Sequence, residues 1–190
     1  MSDKGAIDLK RSVDCILSCL VIIVLSPIYV IIGSLILFDV GWPVIYKKRY
    51  PGLHEKQFTM YRFRTMRKIT GHQGKLLLPN ERLTKLGRFL IKYHLDDLPQ
   101  FFNVLKGDMS LVGPRPVLIR SIPSRDRRQL KRHSVRPGMT GWSQLHGQKR
   151  LTWEEKFELD LYYIEHQSLW FDFKILTLSL LQLLGWKKSI

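Results

Sequence analysis

YHLDDLPQFFNVLKGDMSLVGPRP, residues 93–116, is the stretch on which the reading of this chain turns. Two adjacent carboxylates, Asp96 and Asp97, precede apolar residues at Leu98, Phe101, Phe102 and Leu105. Offsets of zero, three, four and seven predict a helix with one buried face. Gly107 stands where a left-handed C-terminal cap belongs, and Pro99 falls in the first turn, where its missing N–H costs little. Asp96 is then the natural N-cap and Asp97 the next residue in. A carboxylate there sees the positive end of the helix dipole, which favours its ionised form. Neighbouring helical side chains diverge by about 100°, so two adjacent aspartates serve different partners rather than one clasped site. The plain alternative is a capped helix with no chemistry.

The chain has 190 residues, of which 45% are apolar, enough for one folded domain with a real core. Its net charge of +15 calls for an anionic partner: nucleic acid, an anionic membrane surface or phosphorylated substrates. Cys15 and Cys19, the only cysteines, sit in an apolar run without histidine neighbours, which fits neither a disulfide framework nor a zinc site.

Upstream, Cys15–Phe38 is 24 residues without a charged side chain. That length as a helix spans about 36 Å, enough for a bilayer core. It is too long for a signal-peptide core and lacks a small-x-small cleavage site. Ser26-Pro27 lies near its middle and predicts a kink, with Ser26 or a neighbour meeting the carbonyl that Pro27 frees. The flanks are basic on both sides, Lys10 and Arg11 before, Lys47, Lys48 and Arg49 after, so both ends prefer the cytoplasm. A broken helix that enters one leaflet and returns satisfies both observations better than a kinked span. A buried soluble helix is the third alternative.

Phe58–Met66 reads as a strand, with Arg62 and Arg64 two apart on one face. That face suits phosphate oxygens, or is a solvated strand edge. Ile69–Pro79, with Gly71 and Gly74, reads as a loop. Asn80 can cap a helix through Leu83, Leu86, Phe89 and Leu90, inside which Gly87 signals close packing. Beyond Pro116 runs a basic stretch, Arg120, Arg125, Arg127, Arg128, Lys131 and Arg132, suited to anionic lipid or to nucleic acid. The glycine-rich Arg136–Gly147 predicts a loop whose backbone approaches a ligand. Thr152 and Glu155 form a capping box for a helix buried through Trp153, Phe157, Leu161 and Ile164. Ser168–Trp186 reads as a C-terminal helix on the core or on a membrane surface. The chain contains no dinucleotide fingerprint, Walker loop, His-Glu zinc motif or nucleophilic-serine elbow. If the chain has a nucleophile, these absences favour a carboxylate.

Taken together, several motifs resemble the bacterial sugar transferase family, the monotopic phosphoglycosyl transferases. They are Lys10-Arg11-x-x-Asp14, Phe63-Arg64-Thr65-Met66, Leu95-Asp96-Asp97-Leu98-Pro99-Gln100 and Asn103 through Ser110. Gly113-Pro114-Arg115-Pro116, Arg136-Pro137-Gly138-x-Thr140-Gly141 and Asp160-x-Tyr162-Tyr163 complete the set. The likeness covers essentially the whole chain and is similar to the small, single-domain members. It implies an α+β, membrane-associated fold: residues 1–39 as a re-entrant helix kinked at Ser26 and Pro27, and residues 40–190 as one catalytic region with amphipathic interfacial helices and a small β element. It implies transfer of a sugar-1-phosphate from a UDP-sugar to a polyprenol phosphate such as undecaprenyl phosphate, with release of UMP, as the first membrane step of glycoconjugate assembly. Asp96 corresponds to the nucleophile, which forms a covalent phosphosugar. Asp96 and Asp97 correspond to the catalytic and metal-binding pair, with Mg2+ as cofactor. Pro114, Arg115 and Pro116 correspond to the nucleotide-associated motif, and Arg64 and Arg136 are candidate substrate contacts. Without the likeness, Arg115 reads equally well as a turn arginine. The implied setting is the cytoplasmic face of a bacterial inner membrane, with no nucleic-acid partner and a homodimer left open.

Three positions depart from the family pattern. Asp97 replaces the usual Glu, Ile91 stands where an arginine usually lies five residues before the nucleophile, and His94 replaces a small hydroxyl residue. Lys92 is the nearest cation to replace that arginine. These departures leave a catalytically weak or inactive scaffold of the same fold as a second reading, and a basic membrane-anchored nucleic-acid-binding protein as a third.

Overall fold

The computed structural model describes residues 3–68, 78–118, 130–147 and 151–186. The loop read at Ile69–Pro79 lies almost wholly outside these, as do Arg120, Arg125, Arg127 and Arg128 of the basic stretch.

Helix α1 (Asp3–Val24) and helix α2 (Ser26–Asp39) form the broken pair the Ser-Pro step predicts. They bend by 63° across Leu25. Pro27 cannot donate to the carbonyl four residues back, that of Ile23, and Ser26 Oγ donates to it instead at 2.8 Å. No single helix among the described residues is long and apolar enough to cross a membrane; the bent pair together has the length and composition. Strands β1 (Ile45–Pro51) and β2 (Gln57–Phe63) make an antiparallel hairpin in which Ile45 faces Phe63 and Pro51 faces Gln57. β2 ends at Phe63, three residues short of the expected Met66.

The helix read from Asn80 is two helices, α3 (Pro79–Arg82) and α4 (Lys85–Lys92). Leu83 leaves the helical path to bridge Met66, and Thr84 Oγ1 caps α4 by accepting from Gly87 N at 2.9 Å. Gly87 is there for space: a Cβ would come within 2.1 Å of Thr65 O. Helix α5 (Gln100–Lys106) ends on Gly107 at φ +88°, the left-handed cap predicted. Its buried face differs from prediction. Gln100, Asn103 and Val104 are buried, whereas Phe102 is 42% exposed. The reason is long range: Asn103 donates from Nδ2 to Thr59 O at 2.7 Å and accepts at Oδ1 from Tyr61 N at 3.0 Å, binding α5 to β2.

Strands β3 (Ser110–Val112) and β4 (Gly138–Thr140) pair in parallel, Ser110 with Gly138 and Val112 with Thr140. Gly138 and Gly141 of Arg136–Gly147 permit the close backbone approach at this pairing. A Cβ on Gly138 would lie 2.1 Å from Gly113 N, and one on Gly141 2.3 Å from Gly113 O. Helices α6 (Trp142–Leu145), α7 (Trp153–Glu165) and α8 (Leu169–Leu183) follow. α7 carries the complete Thr152–Glu155 capping box. Its inward side is Asp160, Leu161 and Tyr163; Trp153, expected inside, is 40% exposed.

Two apolar clusters hold these parts. One gathers Val104, Met109, Val112, Leu145, Tyr163 and Ile175; the other joins Ile32 and Ile36 of α2 to Phe63, Leu90 and Leu98. Buried polar groups of α1 reinforce the first. Lys10 Nζ pairs with Asp172 of α8 at 2.5 Å and donates to Val112 O at 3.2 Å. Asp14 accepts from Ser110 Oγ at 2.7 Å, and Arg11 donates to the carbonyls of Val104 and Leu105. Asp172, which breaks the apolar run of the C-terminal segment, is therefore an anchor for the N-terminal helix.

Candidate active site

Asp96 and Asp97 sit on one turn of 3-10 helix, Leu95–Asp97, between α4 and α5. Asp96 is not the N-cap of α5. That position belongs to Pro99, and no side chain caps the helix. The chain enters the turn through His94 at φ +54°, a left-handed conformation that histidine tolerates better than most residues. The turn closes with Asp97 N donating to His94 O and Leu98 N to Leu95 O, both at 3.3 Å.

The two carboxylates then diverge in role, as their adjacency predicts. Asp97 is clamped. Its Oδ1 accepts from Gln100 Nε2 and is ion-paired with Arg62 Nε at 2.9 Å, and its Oδ2 accepts from Arg115 Nη2 at 3.2 Å. Gln100 itself is 2% exposed, so the clamp is rooted in the core. Asp96 accepts no side-chain hydrogen bond among the described residues. Burial pushes its carboxyl up to about 6, with Asp97 adding to the rise, while Arg62 and Arg115 pull the other way. The result is a carboxylate that titrates near neutral pH, takes no side-chain hydrogen bond among the described residues and stands beside two guanidinium groups.

Arg115 is positioned by its backbone. Pro114 O accepts from Gly138 N at 3.0 Å, and Arg115 O accepts from Arg132 Nη2 at 3.0 Å. Arg132 pairs in turn with Asp160 of α7 at 2.7 Å, and Asp160 accepts from Ser143 Oγ at 2.7 Å. Pro116 is half-buried beside it. A continuous set of contacts thus leads from Asp97 through Arg115 and Arg132 to α7.

Two predicted contacts lie elsewhere. Arg64 follows the end of β2, so strand alternation does not carry it to the acid pair. It donates from Nε to Met66 O at 3.1 Å and from Nη1 to Trp42 O at 2.9 Å. Arg136 donates from Nε to Gly107 O at 3.0 Å, fastening the end of α5. The strand arginine that meets the acid pair is Arg62. It belonged to the same sequence pair as Arg64, and only the strand's end separates them. Gln100 was also missed; its three-residue spacing from Asp97 is the signal that places both on one side of a helical turn.

Among the described residues no group of three or more His, Cys, Asp or Glu side chains could hold a metal. Both oxygens of Asp97, expected as a metal ligand, take cationic or amide donors here. Of the pair, Asp96 is the one without a side-chain hydrogen bond among the described residues. That fits a cation such as Mg2+, which keeps its waters and completes its shell with one or two carboxylates and substrate phosphates.

The chain is 49% identical over 129 residues to the uncharacterized sugar transferase EpsL of Bacillus subtilis (strain 168), covering 68% of this chain and 64% of that one. It is 36% identical over 183 residues to the UDP-glucose:undecaprenyl-phosphate glucose-1-phosphate transferase of Escherichia coli (strain K12), covering 90% of this chain and 39% of the relative. It is 42% identical over 125 residues to the UDP-N-acetylgalactosamine-undecaprenyl-phosphate N-acetylgalactosaminephosphotransferase of Aeromonas hydrophila, covering 62% and 30%. The chain therefore spans between about a third and two thirds of the length of these relatives. The family model for bacterial sugar transferase matches residues 6–185. With nearly its whole length inside that match, the chain belongs to the bacterial sugar transferase family.

Proposed function

We propose that this chain is a phosphoglycosyl transferase that moves a sugar-1-phosphate from a UDP-sugar to undecaprenyl phosphate. The observation that carries the reading is the asymmetry of the acid pair: Asp97 is held by Arg62, Arg115 and Gln100, while Asp96 takes no side-chain hydrogen bond among the described residues and titrates near neutral pH beside the same two arginines. A carboxylate so placed is a nucleophile toward phosphorus. In the first half-reaction an Asp96 oxygen bonds to the β-phosphorus, and the bond from that phosphorus to the bridging oxygen breaks, its electron pair leaving with UMP. In the second, a phosphate oxygen of the lipid bonds to the same phosphorus and Asp96 departs as carboxylate. Arg62 and Arg115 neutralise the charge gathering on the phosphoryl oxygens. Mg2+ held by Asp96 and the substrate phosphates would draw further charge from them.

The membrane setting is part of the proposal. The bent α1–α2 pair exposes Ile16, Leu20, Ile23, Val24, Val30, Ile31 and Phe38, which supports a helix that dips into one leaflet and returns to the cytoplasmic face. The excess of basic residues suits an anionic leaflet. Cysteine labels near Lys4 and Lys48 should then react from the same side; labels on opposite sides would mean a span.

The Escherichia coli and Aeromonas hydrophila relatives share undecaprenyl phosphate in their names but differ in sugar. The test is therefore a panel of UDP-sugars incubated with the protein, Mg2+ and undecaprenyl phosphate, read by UMP release. Release with at least one sugar, lost in Asp96→Asn together with the covalent adduct, is expected. Silence across the panel would leave the inactive scaffold. Against that scaffold stands Arg62, which brings a guanidinium to the acid pair although position 91 is Ile. DNA binding that falls steeply with salt would revive the nucleic-acid reading.

A further inference from the structure

No side chain among the described residues fixes the Asp96 carboxyl by a hydrogen bond, so its place is set by the backbone of the Leu95–Asp97 turn. That turn holds itself weakly. A 3-10 turn has poorer hydrogen-bond geometry than an α-helix, and the two bonds that close this one are both 3.3 Å long. The chain enters it through left-handed His94, and α5 beyond it has no side-chain cap. Its hold therefore comes from outside. One grip is on a side chain: Gln100, Arg62 and Arg115 take the Asp97 carboxylate. The other is on the main chain. Tyr29 Oη of α2 donates to Leu98 O, the carbonyl one residue past the acid pair, at 2.6 Å. That carbonyl also accepts from Phe101 N at 3.1 Å, so both its lone pairs are used. The Tyr29 ring lies 5.8 Å from the ring of Phe63, the neighbour of the Arg62 that pairs with Asp97, and 5.9 Å edge-on from Phe102 of α5. One turn further along α2, Ile32 packs with Phe63, Leu90 and Leu98.

We propose that Tyr29 is a positioning residue for Asp96: its hydroxyl fixes the carbonyl that follows the acid pair, and its ring fixes the end of β2 that carries Arg62. The proposal rests on the transfer reading above and adds that a side chain of the broken helix sets where the nucleophile stands. Tyr29 acts through the backbone of the turn, not on the reacting atoms. A tyrosine inside an apolar cluster needs an acceptor for its hydroxyl, and any carbonyl would meet that need. The one it meets is 69 residues away and belongs to the residue adjoining Asp97. The approach is also set from the other end, because Tyr29 lies three residues past Ser26 and its N–H donates to Leu25 O at 3.0 Å, across the bend. Attack on phosphorus needs the carboxylate in line with the departing oxygen and within about 3–3.5 Å. Drift of the turn therefore costs rate before it costs binding, since binding contacts are spread over the whole donor.

The test compares Tyr29→Phe, which keeps the ring and loses the hydroxyl, with Tyr29→Leu, which loses both, in the full chain in detergent micelles. Two quantities are read. Hydrogen exchange followed by mass spectrometry should show residues 95–102 exchanging about tenfold faster in Tyr29→Phe, the scale of one lost hydrogen bond, with α7 unchanged. UMP release from a UDP-sugar that the wild type accepts should show kcat down about tenfold and KM for the UDP-sugar within about twofold. Tyr29→Leu should lower kcat at least as far and melt below Tyr29→Phe, because the ring also packs against Phe63 and Phe102. Either the exchange of residues 95–102 or kcat within about twofold of wild type in Tyr29→Phe would overturn the proposal. So would faster exchange throughout the chain, or a KM that rises as far as kcat falls, each of which makes Tyr29 a residue of general stability. If the wild type releases UMP and Tyr29→Phe matches it, only the Tyr29 assignment falls. If the wild type releases no UMP with any sugar, the transfer reading falls and the positioning role falls with it.

Discussion

Replacing Asp96 by Asn removes a carboxyl that the fold holds at a disadvantage. Burial and the adjacent Asp97 carry its pKa from 3.8 to about 6, so the folded chain holds that proton far more tightly than the unfolded chain does. Linkage fixes the sign. A group whose folded pKa is raised adds stability that is complete below about 3.8 and is lost as pH climbs through about 6. Above neutrality the ionised carboxylate is a net cost. The full shift corresponds to about 3 kcal/mol, and solvent screening at this partly exposed residue reduces it to about 1–1.5 kcal/mol. For a chain of this length that is about 2–5 °C in Tm. Asn fills the same space without ionising. The assay is thermal unfolding of wild type and Asp96→Asn in micelles and EDTA, from pH 4 to 8. EDTA matters because a cation on Asp96 would itself favour the ionised form. The variant should stay closest to wild type at pH 4, pull ahead between about pH 4 and 6, and hold a constant lead above that, while UMP release is abolished. A lead that does not change with pH, or an Asn variant that melts lower at pH 7.5, would show that Asp96 is not a strained acid, and would remove the physical ground for its reactivity. Stability given up to keep a reactive group ionised is a recurring feature of enzyme sites.

The clamp on Asp97 makes a second prediction: Arg62→Gln and Asp97→Asn should each lower kcat/KM by about ten- to a hundredfold, and the double variant should be no worse than the weaker single. Losses that multiply would show independent roles and sink the clamp. Gly87→Ala places a Cβ within 2.1 Å of the Thr65 carbonyl and should cost about 2–3 kcal/mol in urea unfolding, whereas Gly33→Ala, with only Val44 Cγ1 at 3.8 Å, should be near neutral. Equal effects would mean that α4 does not pack against Thr65 as described. Lys10→Met strips the cation from Asp172, whose side chain is 8% exposed, and should destabilise by about 3 kcal/mol; adding Asp172→Asn should recover part of the loss. No recovery would argue that Lys10 acts through Val112 O alone.

What was legible in the sequence is what is settled within a few residues. The left-handed Gly107, the Thr152–Glu155 box and the Ser26-Pro27 break each depend on partners no more than four positions away, and each is found. The tight packing at Gly87 was legible because a glycine inside a helix needs a reason. The misreadings arise where distant partners decide. An apolar stripe put Phe102 inside α5, but the backbone of β2 claims Asn103 through two main-chain partners 42 and 44 positions away, and the Phe102 ring is left half outside against Tyr29. Strand alternation made Arg62 and Arg64 equivalent; β2 stops at Phe63, and that boundary sends one arginine to Asp97 and the other to the carbonyls of Met66 and Trp42. The same reasoning reinterprets the Ile at position 91. Read along the chain, it is the loss of a phosphate-binding arginine from α4. Read in space, Ile91 is 39% exposed, and the acid pair still has two guanidinium groups, one from β2 and one from the Pro114-Arg115-Pro116 turn. What the site requires is positive charge within reach of Asp96, and the fold can deliver it from any element that ends there. On the proposed transfer reading, a chain that lacks the expected arginine at one position keeps positive charge at the acid pair because β2 ends where it does.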